Sequence, residues 1–183
     1  MRDMTLGQDA NYNLNKFIER YNSDLANDFG NLVNRVTILI KKHFNGIIPE
    51  PNNYNENDLN IITKARNTIE NSISNFKELK IHKAIEEIMS LLRSLNKYLE
   101  INEPWKALKQ DPENIDATNS IYISVNALSI GTKLLHPIMP KKTLEIFGIL
   151  GLKEINQVND DSFDILKSGD KIGDGKSPFP RIQ

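Results

Sequence analysis

Apolar residues recur at steps of three and four along most of the chain, which is the spacing of one face of a helix. The pattern predicts a first helix from about Asn15 to His43, because Asn45-Gly46 then provides a left-handed stop. Its apolar stripe steps by 4, 3, 4 and 3 residues and comprises Leu25, Phe29, Leu32, Val36 and Leu39.

Two more long helices follow a loop that contains Pro49, Pro51 and an asparagine-rich stretch. The second helix is predicted from about Asp58 to Phe76. The third, from about Ile81 to Ile101, has the most regular stripe and is therefore predicted to lie along the centre of a bundle. Its apolar positions are Ile81, Ile85, Ile88, Leu92, Leu95 and Leu99.

The later part of the chain predicts three further helices. A proline is tolerated in the first turn of a helix, so a short helix is expected from Pro104 to Gln110. A fourth long helix is predicted from about Asn114 to Leu135, although residues 121–125 also alternate and a short strand is the local alternative. A last helix, from Lys141 to Leu150, should end at Gly151.

These elements predict an all-α fold, a helical bundle of about five main helices. The bundle should span residues 13–151. Residues 152–183 are rich in Gly, Asp and Ser, and we expect them to form an irregular C-terminal tail rather than a second domain.

Composition narrows the functional classes. The 23 Lys and Arg residues against 24 Asp and Glu residues argue against a protein that grips a polyanion or a membrane by bulk attraction. The absence of cysteine excludes disulfides, thiolate zinc sites and a cysteine nucleophile, and makes a cytoplasmic setting the default. The apolar runs are too short to span a bilayer, so no membrane is expected as a partner.

Catalytic patterns are scarce. His43, His82 and His136 fall on different elements without a partner at metal-ligand spacing. Glu86 and Glu87 are adjacent, so they point about 100° apart on a helix and are poorly placed to act as a pair. No glycine-rich phosphate loop follows a strand pattern. The sequence therefore predicts no catalytic residue, no metal site and no bound cofactor in this chain.

The first helix carries a polar row opposite its apolar stripe. With Leu25 at zero, Asn27, Asn31 and Arg35 project at about 200°, 240° and 280°. Amides and a guanidinium suit base edges and phosphates. The single tryptophan, Trp105, follows Pro104 at a helix start and could stack an unpaired base. A solvated helix face and a core anchor are the structural alternatives, and the residues alone leave them open.

Several segments, taken in order, resemble one family. The helix segment from Phe17 to Arg35 closely resembles the first helix of the anticodon-binding domain of bacterial methionyl-tRNA synthetases. Four other segments agree with that family and extend the resemblance over essentially the whole chain. They are Arg2 to Asp9 at the domain junction, the Pro-Trp element from Glu103 to Lys106, Leu135 to Pro140, and the closing Phe179 to Ile182.

The resemblance implies a module that recognises the CAU anticodon of methionine tRNAs. It implies that Asn27, Asn31 and Arg35 face the anticodon loop and that Trp105 stacks on its first base, with Pro104 in a supporting role. The expected partners are methionine tRNA and the catalytic domain of the same protein. The polar row and the tryptophan are also what reading a splayed-out loop would need.

The family's nucleotide-binding signatures and its zinc-binding insertion are absent from the chain. The resemblance therefore implies a C-terminal fragment that cannot itself activate methionine. ATP would bind the missing catalytic part of the parent ligase, and whether zinc binds there is left open. Residues 1–12 would be the junction with that part, and the tail of residues 152–183 would pack back toward it.

Two alternative hypotheses of function remain. One is a structural or protein-interaction helical bundle, in which Trp105 would be buried. The other is the anticodon domain of a related class I synthetase.

Overall fold

A computed structural model describes residues 13–152, 163–176 and 178–183. Within these ranges the chain is helical and contains no β-strand, and an isolated antiparallel bridge joins Ile47 to Lys171. The prediction of an all-α bundle is thereby confirmed. The helices are α1 (Leu14–Arg20), a π-helical segment (Tyr21–Gly30), α2 (Asn31–Phe44), α3 (Glu56–Lys77), α4 (Ile81–Asn102), α5 (Pro104–Gln110), α6 (Ile115–Leu135) and α7 (Pro140–Leu150).

The helix predicted from Asn15 to His43 is present, but its middle is π-helical. The Asn13 side chain caps α1 by accepting a hydrogen bond from the Lys16 amide at 3.1 Å. At the other end Asn45 adopts a left-handed φ of 54°. In between, the Asn31 amide donates to the carbonyl of Ala26, five residues earlier. Apolar spacing does not report which carbonyl an amide chooses, so the sequence pattern missed this wider turn.

The most enclosed helix is α6, and not the helix Ile81 to Ile101 that the sequence placed at the centre. Every residue of α6 from Asn119 to Thr132 is buried, whereas α4 keeps an exposed polar face. The small polar residues of α6 make its burial difficult to predict from the sequence. The hydroxyls of Ser129 and Thr132 donate to the carbonyls four residues earlier, at 2.8 and 2.7 Å, and so need no water.

Two buried asparagines of α6 tie loops to the bundle. The Asn119 side chain accepts from the Asn52 amide at 2.8 Å and donates to the Asn53 carbonyl at 3.0 Å. The Asn126 side chain makes the same kind of double contact with the backbone of Leu166, at 2.8 and 3.1 Å. The loop before α3 and the tail are therefore both fastened to the central helix.

The tail contributes to the core although it is irregular. Its buried apolar side chains are Phe163, Leu166, Ile172 and Phe179. Gly151, which ends α7 at φ 75°, lies against this tail, because a Cβ there would come within 2.2 Å of the Lys171 carbonyl oxygen. Only glycine fits both the left-handed turn and this close approach.

The last described residues lie along the π-helical segment. The Phe179 ring packs on Phe29 with their centroids 5.4 Å apart. The Asn22 side chain exchanges two hydrogen bonds with the backbone of Ile182, at 2.8 and 2.9 Å. The junction at residues 1–12 lies outside the described residues, so the packing of the tail toward that junction stays a prediction.

Candidate functional site

A groove runs between the first helical stretch and α4. Its volume is about 670 Å³. One wall comes from the π-helical segment and α2, and the other comes from α4. The lining residues are Asn27, Asp28, Asn31, Asn34, Arg35 and Ile38 on the first wall, and Arg93, Asn96, Lys97 and Glu100 on the second.

The structure brings the three members of the predicted polar row into this groove. Asn27 is half-buried in the π-helical segment, Asn31 is the exposed first residue of α2, and Arg35 lies one turn further on. Asn27 is already engaged, because its Oδ1 accepts a hydrogen bond from Arg181 Nη2 at 2.7 Å. The row therefore stays on one side of the helix despite the π-helical turns.

Arg35 connects this row to the tryptophan. Its Cζ lies 5.2 Å from the centroid of the Trp105 ring, which is within the range of a cation–π contact. Its Nη1 also faces Glu100 Oε1 at 3.4 Å and Asn96 Oδ1 at 3.5 Å. Because both distances are long for hydrogen bonds, the guanidinium is positioned by several weak contacts rather than by one strong pair.

The Pro-Trp element is placed by the end of α4. Glu103 takes a left-handed φ of 40°, which ends α4 and redirects the chain. Pro104 then begins α5, as predicted, and is buried. Trp105 is half-buried and packs against the edge of the core. It is thus neither the fully exposed platform nor the core anchor that the sequence alternatives described.

The α4 wall was not anticipated from the sequence. Arg93, Asn96, Lys97 and Glu100 are spaced at i, i+3, i+4 and i+7, so they share one face of the helix. That spacing was available as a signal. Which helix this face would meet depends on the packing of the bundle, which the pattern does not contain.

Asn96 holds the two walls at a fixed separation. Its Nδ2 donates to the Asp28 carbonyl at 2.9 Å and lies 3.4 Å from the Leu92 carbonyl of its own helix. The first of these bonds crosses from α4 to the π-helical segment. The groove is therefore bounded by elements that are joined directly to each other.

The charges of the groove are mixed. Arg93 Nη2 pairs with Glu86 Oε1 at 2.7 Å, and Arg35 faces Glu100 as described above. Lys97 is exposed, and among the described residues it has no ion-pair partner within 4 Å. The groove thus combines neutral amides with cations at its walls.

The described residues contain no group of three side chains that could hold a metal ion. His136 Nδ1 lies 2.7 Å from Thr143 Oγ1, and burial followed by the charge of Lys42 lowers the pKa of His43. His136 is therefore held by local structure, whereas the buried Nε2 of His43 has no hydrogen-bond partner among the described residues. None of the helices formed by the described residues has the length and apolar character needed to cross a bilayer.

Comparison with known proteins agrees with this architecture. A family model described as the anticodon binding domain of methionyl tRNA ligase matches residues 48–183, and a model of class I tRNA synthetases (M) matches residues 1–37. A methionine–tRNA ligase of Sulfolobus acidocaldarius is 34% identical over 180 residues, covering 96% of this chain and 31% of the relative. One from Clostridium tetani is 34% identical over 182 residues, covering 100% of this chain and 28% of the relative.

Solved structures show the same fold. The free form of Mycobacterium tuberculosis methionyl-tRNA synthetase superposes with a TM-score of 0.89 at 28% identity, covering 100% of this chain and 37% of that one. Its complex with methionyl-adenylate gives a TM-score of 0.86 at 27% identity, over 98% of this chain and 36% of that one. The chain spans about a third of the length of the relatives it matches.

The helical bundle and its structural neighbours define a domain of a class I aminoacyl-tRNA synthetase. Within that class, the family model that covers most of the chain identifies the family. The chain belongs to the anticodon-binding domain family of methionyl-tRNA ligases.

Proposed function

We propose that the groove and Trp105 bind the CAU anticodon loop of methionine tRNA, and that the chain serves a methionine–tRNA ligase as its tRNA-selecting module. One observation carries the proposal: in a domain of this family, Asn27, Asn31 and Arg35 line one groove while the Arg35 guanidinium lies over the Trp105 ring. The neutral amides, the planar cation and the aromatic ring are together the equipment for reading unpaired bases.

Each side chain has a distinct role in the proposal. The amide of Asn31 offers a donor beside an acceptor, which matches the Watson–Crick edge of a base. The amide of Asn27 offers its Nδ2 donor, and its Oδ1 would have to be shared with Arg181 or released by it. Arg35 offers a planar set of donors to a base edge or a phosphate. Trp105 stacks on the first anticodon base, and the buried Pro104 holds the ring at the start of α5.

The proposal does not depend on bulk electrostatic attraction. The chain has a net charge of −1, so long-range attraction to RNA is weak. Affinity would come from stacking and from a few local contacts instead. We expect a shallow dependence of binding on salt compared with strongly basic RNA-binding proteins.

In the proposed ligase, this module works with a catalytic domain of the same protein. The match of residues 1–37 to the class I synthetase model supports that connection. The catalytic domain would activate methionine with ATP in the cytoplasm and attach it to the bound tRNA. The solved relative in complex with methionyl-adenylate supports this chemistry for the family.

The proposal is tested with the whole ligase and a Trp105→Ala variant. Losing one stacked base costs about 1–3 kcal/mol, so aminoacylation at limiting tRNA should fall by roughly 5- to 150-fold. ATP-dependent activation of methionine does not use the tRNA and should stay unchanged. The conservative Trp105→Phe variant retains an aromatic face and should retain most of the aminoacylation.

Three outcomes would contradict the proposal. An equal loss of aminoacylation and methionine activation would indicate a damaged enzyme rather than a lost tRNA contact. Unchanged aminoacylation in Trp105→Ala would favour a structural or protein-interaction bundle. Preference for a loop other than CAU would instead indicate another class I specificity.

A further inference from the structure

The α4 wall of the groove has no role in the proposed base reading. It presents Arg93, Asn96, Lys97 and Glu100 toward the wall that carries the polar row. Asn96 is used to join the walls, through its bond to the Asp28 carbonyl at 2.9 Å. Glu100 faces Arg35 at 3.4 Å. The two cations of this wall, Arg93 and Lys97, take no part in either of these contacts.

We infer that Arg93 and Lys97 form a phosphate-binding wall that holds the backbone of the RNA loop while the opposite wall reads its bases. This inference rests on the proposed function and extends it to residues of α4. Bases that turn toward the row of Asn27, Asn31 and Arg35 leave their phosphates facing away from it. Arg93 and Lys97, on the other side of the same groove, would then face those phosphates.

The contacts of the two cations favour this role to different degrees. Lys97 is exposed and has no ion-pair partner among the described residues, so binding a phosphate would break no existing pair. Arg93 is bound to Glu86 through Nη2 at 2.7 Å. A guanidinium has five donors, so the rest of Arg93 can still meet a phosphate. Lys97 is accordingly the residue on which the inference is tested.

A single-stranded RNA backbone fits the groove better than an acidic peptide does. The facing wall offers the amides of Asn27 and Asn31 with a single cation, Arg35, and Trp105 lies beside that cation. An acidic peptide would bind the cations but would offer no matching groups to the amides and the aromatic ring. An acidic-peptide competitor is therefore included in the test as the opposing result.

The experiment measures binding of this chain to a synthetic RNA stem-loop that carries the CAU loop, and to one with a permuted loop, across a range of salt concentrations. Log affinity falls as log salt concentration rises, and removing one phosphate contact makes that slope shallower by about 0.7 for a single strand. Lys97→Gln should therefore bind about fivefold more weakly at about 0.1 M salt. The loss should be equal for the two loops, because a phosphate contact carries no sequence information.

Lys83→Gln is the matched control. Lys83 is an exposed lysine of the same helix. Replacing it with glutamine changes the net charge by the same amount as Lys97→Gln does. It lies about 21 Å along the axis from Lys97 and outside the groove lining. Lys83→Gln should leave the salt slope unchanged, whereas Lys97→Glu should weaken binding more than Lys97→Gln does.

The outcomes separate the inference from the proposed function. If the unaltered chain distinguishes the CAU loop but Lys97→Gln binds with the same affinity and slope, the inference is wrong and the proposed function stands. If the unaltered chain does not distinguish the CAU loop, both are wrong. Displacement of the RNA by a polyglutamate peptide at matched concentration would also overturn the inference, since a groove built for RNA should not prefer a peptide.

Discussion

The guanidinium carbon of Arg35 lies 5.2 Å from the centroid of the Trp105 ring, although the two residues are on different helices. The contact joins the polar row, through its member on α2, to the Pro-Trp element of α5. It also means that one face of the tryptophan is partly covered before any ligand arrives. A base that stacks on Trp105 would meet Arg35 at the same place, so stacking and the arginine contact should be coupled.

An Arg35→Lys variant tests this coupling. Lysine keeps the charge but loses the planar group that lies against the ring. A cation–π contact at a partly exposed site is worth about 0.5–1 kcal/mol, and further donors are lost with it. Affinity for the CAU stem-loop should fall by about two- to tenfold, as measured by fluorescence titration. Arg66→Lys, at an exposed position of α3, is the control and should bind normally. Equal affinities of Arg35→Lys and the unaltered chain would contradict the coupling.

Asn31→Ala should reduce discrimination more than general affinity. Asn31 is exposed and lines the groove, so its removal should leave the fold intact. A well-placed amide pair with a base is worth about 1–3 kcal/mol of discrimination. The ratio of affinities for CAU and permuted loops should therefore fall by about 5- to 150-fold. Asn71→Ala, an exposed asparagine of α3, should leave the ratio unchanged. A fall in affinity that is the same for every loop would argue against base reading by Asn31.

Phe179→Ala should destabilise the whole bundle even though Phe179 is near the C-terminus. Its ring is 5% exposed and packs on the fully buried Phe29. Truncating a buried phenylalanine costs about 3–5 kcal/mol, which urea unfolding would measure as a lower free energy of unfolding. Ile182→Ala, whose side chain is 38% exposed, should cost much less. Similar losses for the two variants would contradict the assignment of Phe179 to the core.

The fold is expected to weaken in alkaline solution because of Tyr98. Burial, followed by its bond to the Asp58 carboxylate at 2.5 Å, raises the pKa of Tyr98. The folded state therefore keeps the proton longer than the unfolded state, whose tyrosine titrates near a pKa of about 10. The stabilisation is complete below about pH 10 and is lost as the pH rises above it. Tyr98→Phe should flatten the fall in unfolding free energy between about pH 9.5 and 11.

The free energy of unfolding at neutral pH tests the same hydrogen bond between Tyr98 and Asp58. There, Tyr98→Phe should be less stable by about 1–2 kcal/mol, because the buried Asp58 loses a donor. Burial and Asp164 also raise the pKa of Tyr122, so some alkaline dependence should persist in the single variant. Alkaline unfolding curves of Tyr98→Phe that parallel those of the unaltered chain would contradict this account.

Local patterns predicted most of the helices. The start of α5 at Pro104 and the stops at Asn45 and Gly151 follow from backbone rules that act over a few residues. Burial was harder to predict, because the buried Ser129 and Thr132 of α6 read as polar until their bonds to the preceding turn are known. The π-helical turn depends on a choice between neighbouring carbonyls and has no apolar signature.

The candidate site was predictable on one wall only. Asn27, Asn31 and Arg35 belong to a single helical stretch, so spacing alone could group them. Lys97 joins the groove through the packing of α4 beside that stretch. The approach of Arg181 to Asn27 spans most of the chain, at 2.7 Å between their side chains. Contacts of this kind are set by the tertiary fold and leave no local trace.

The most direct measurement of the central claim is the affinity of the unaltered chain for a stem-loop with the CAU anticodon, compared with the same stem carrying permuted loops. Each mismatched base should cost about 1–3 kcal/mol, so the CAU loop should bind at least about thirtyfold more tightly than a loop with two changed bases. Trp105→Ala should weaken the binding of the CAU loop by about 5- to 150-fold, since it removes the stacking surface. Equal binding of all loops by the folded chain would contradict anticodon reading by this domain.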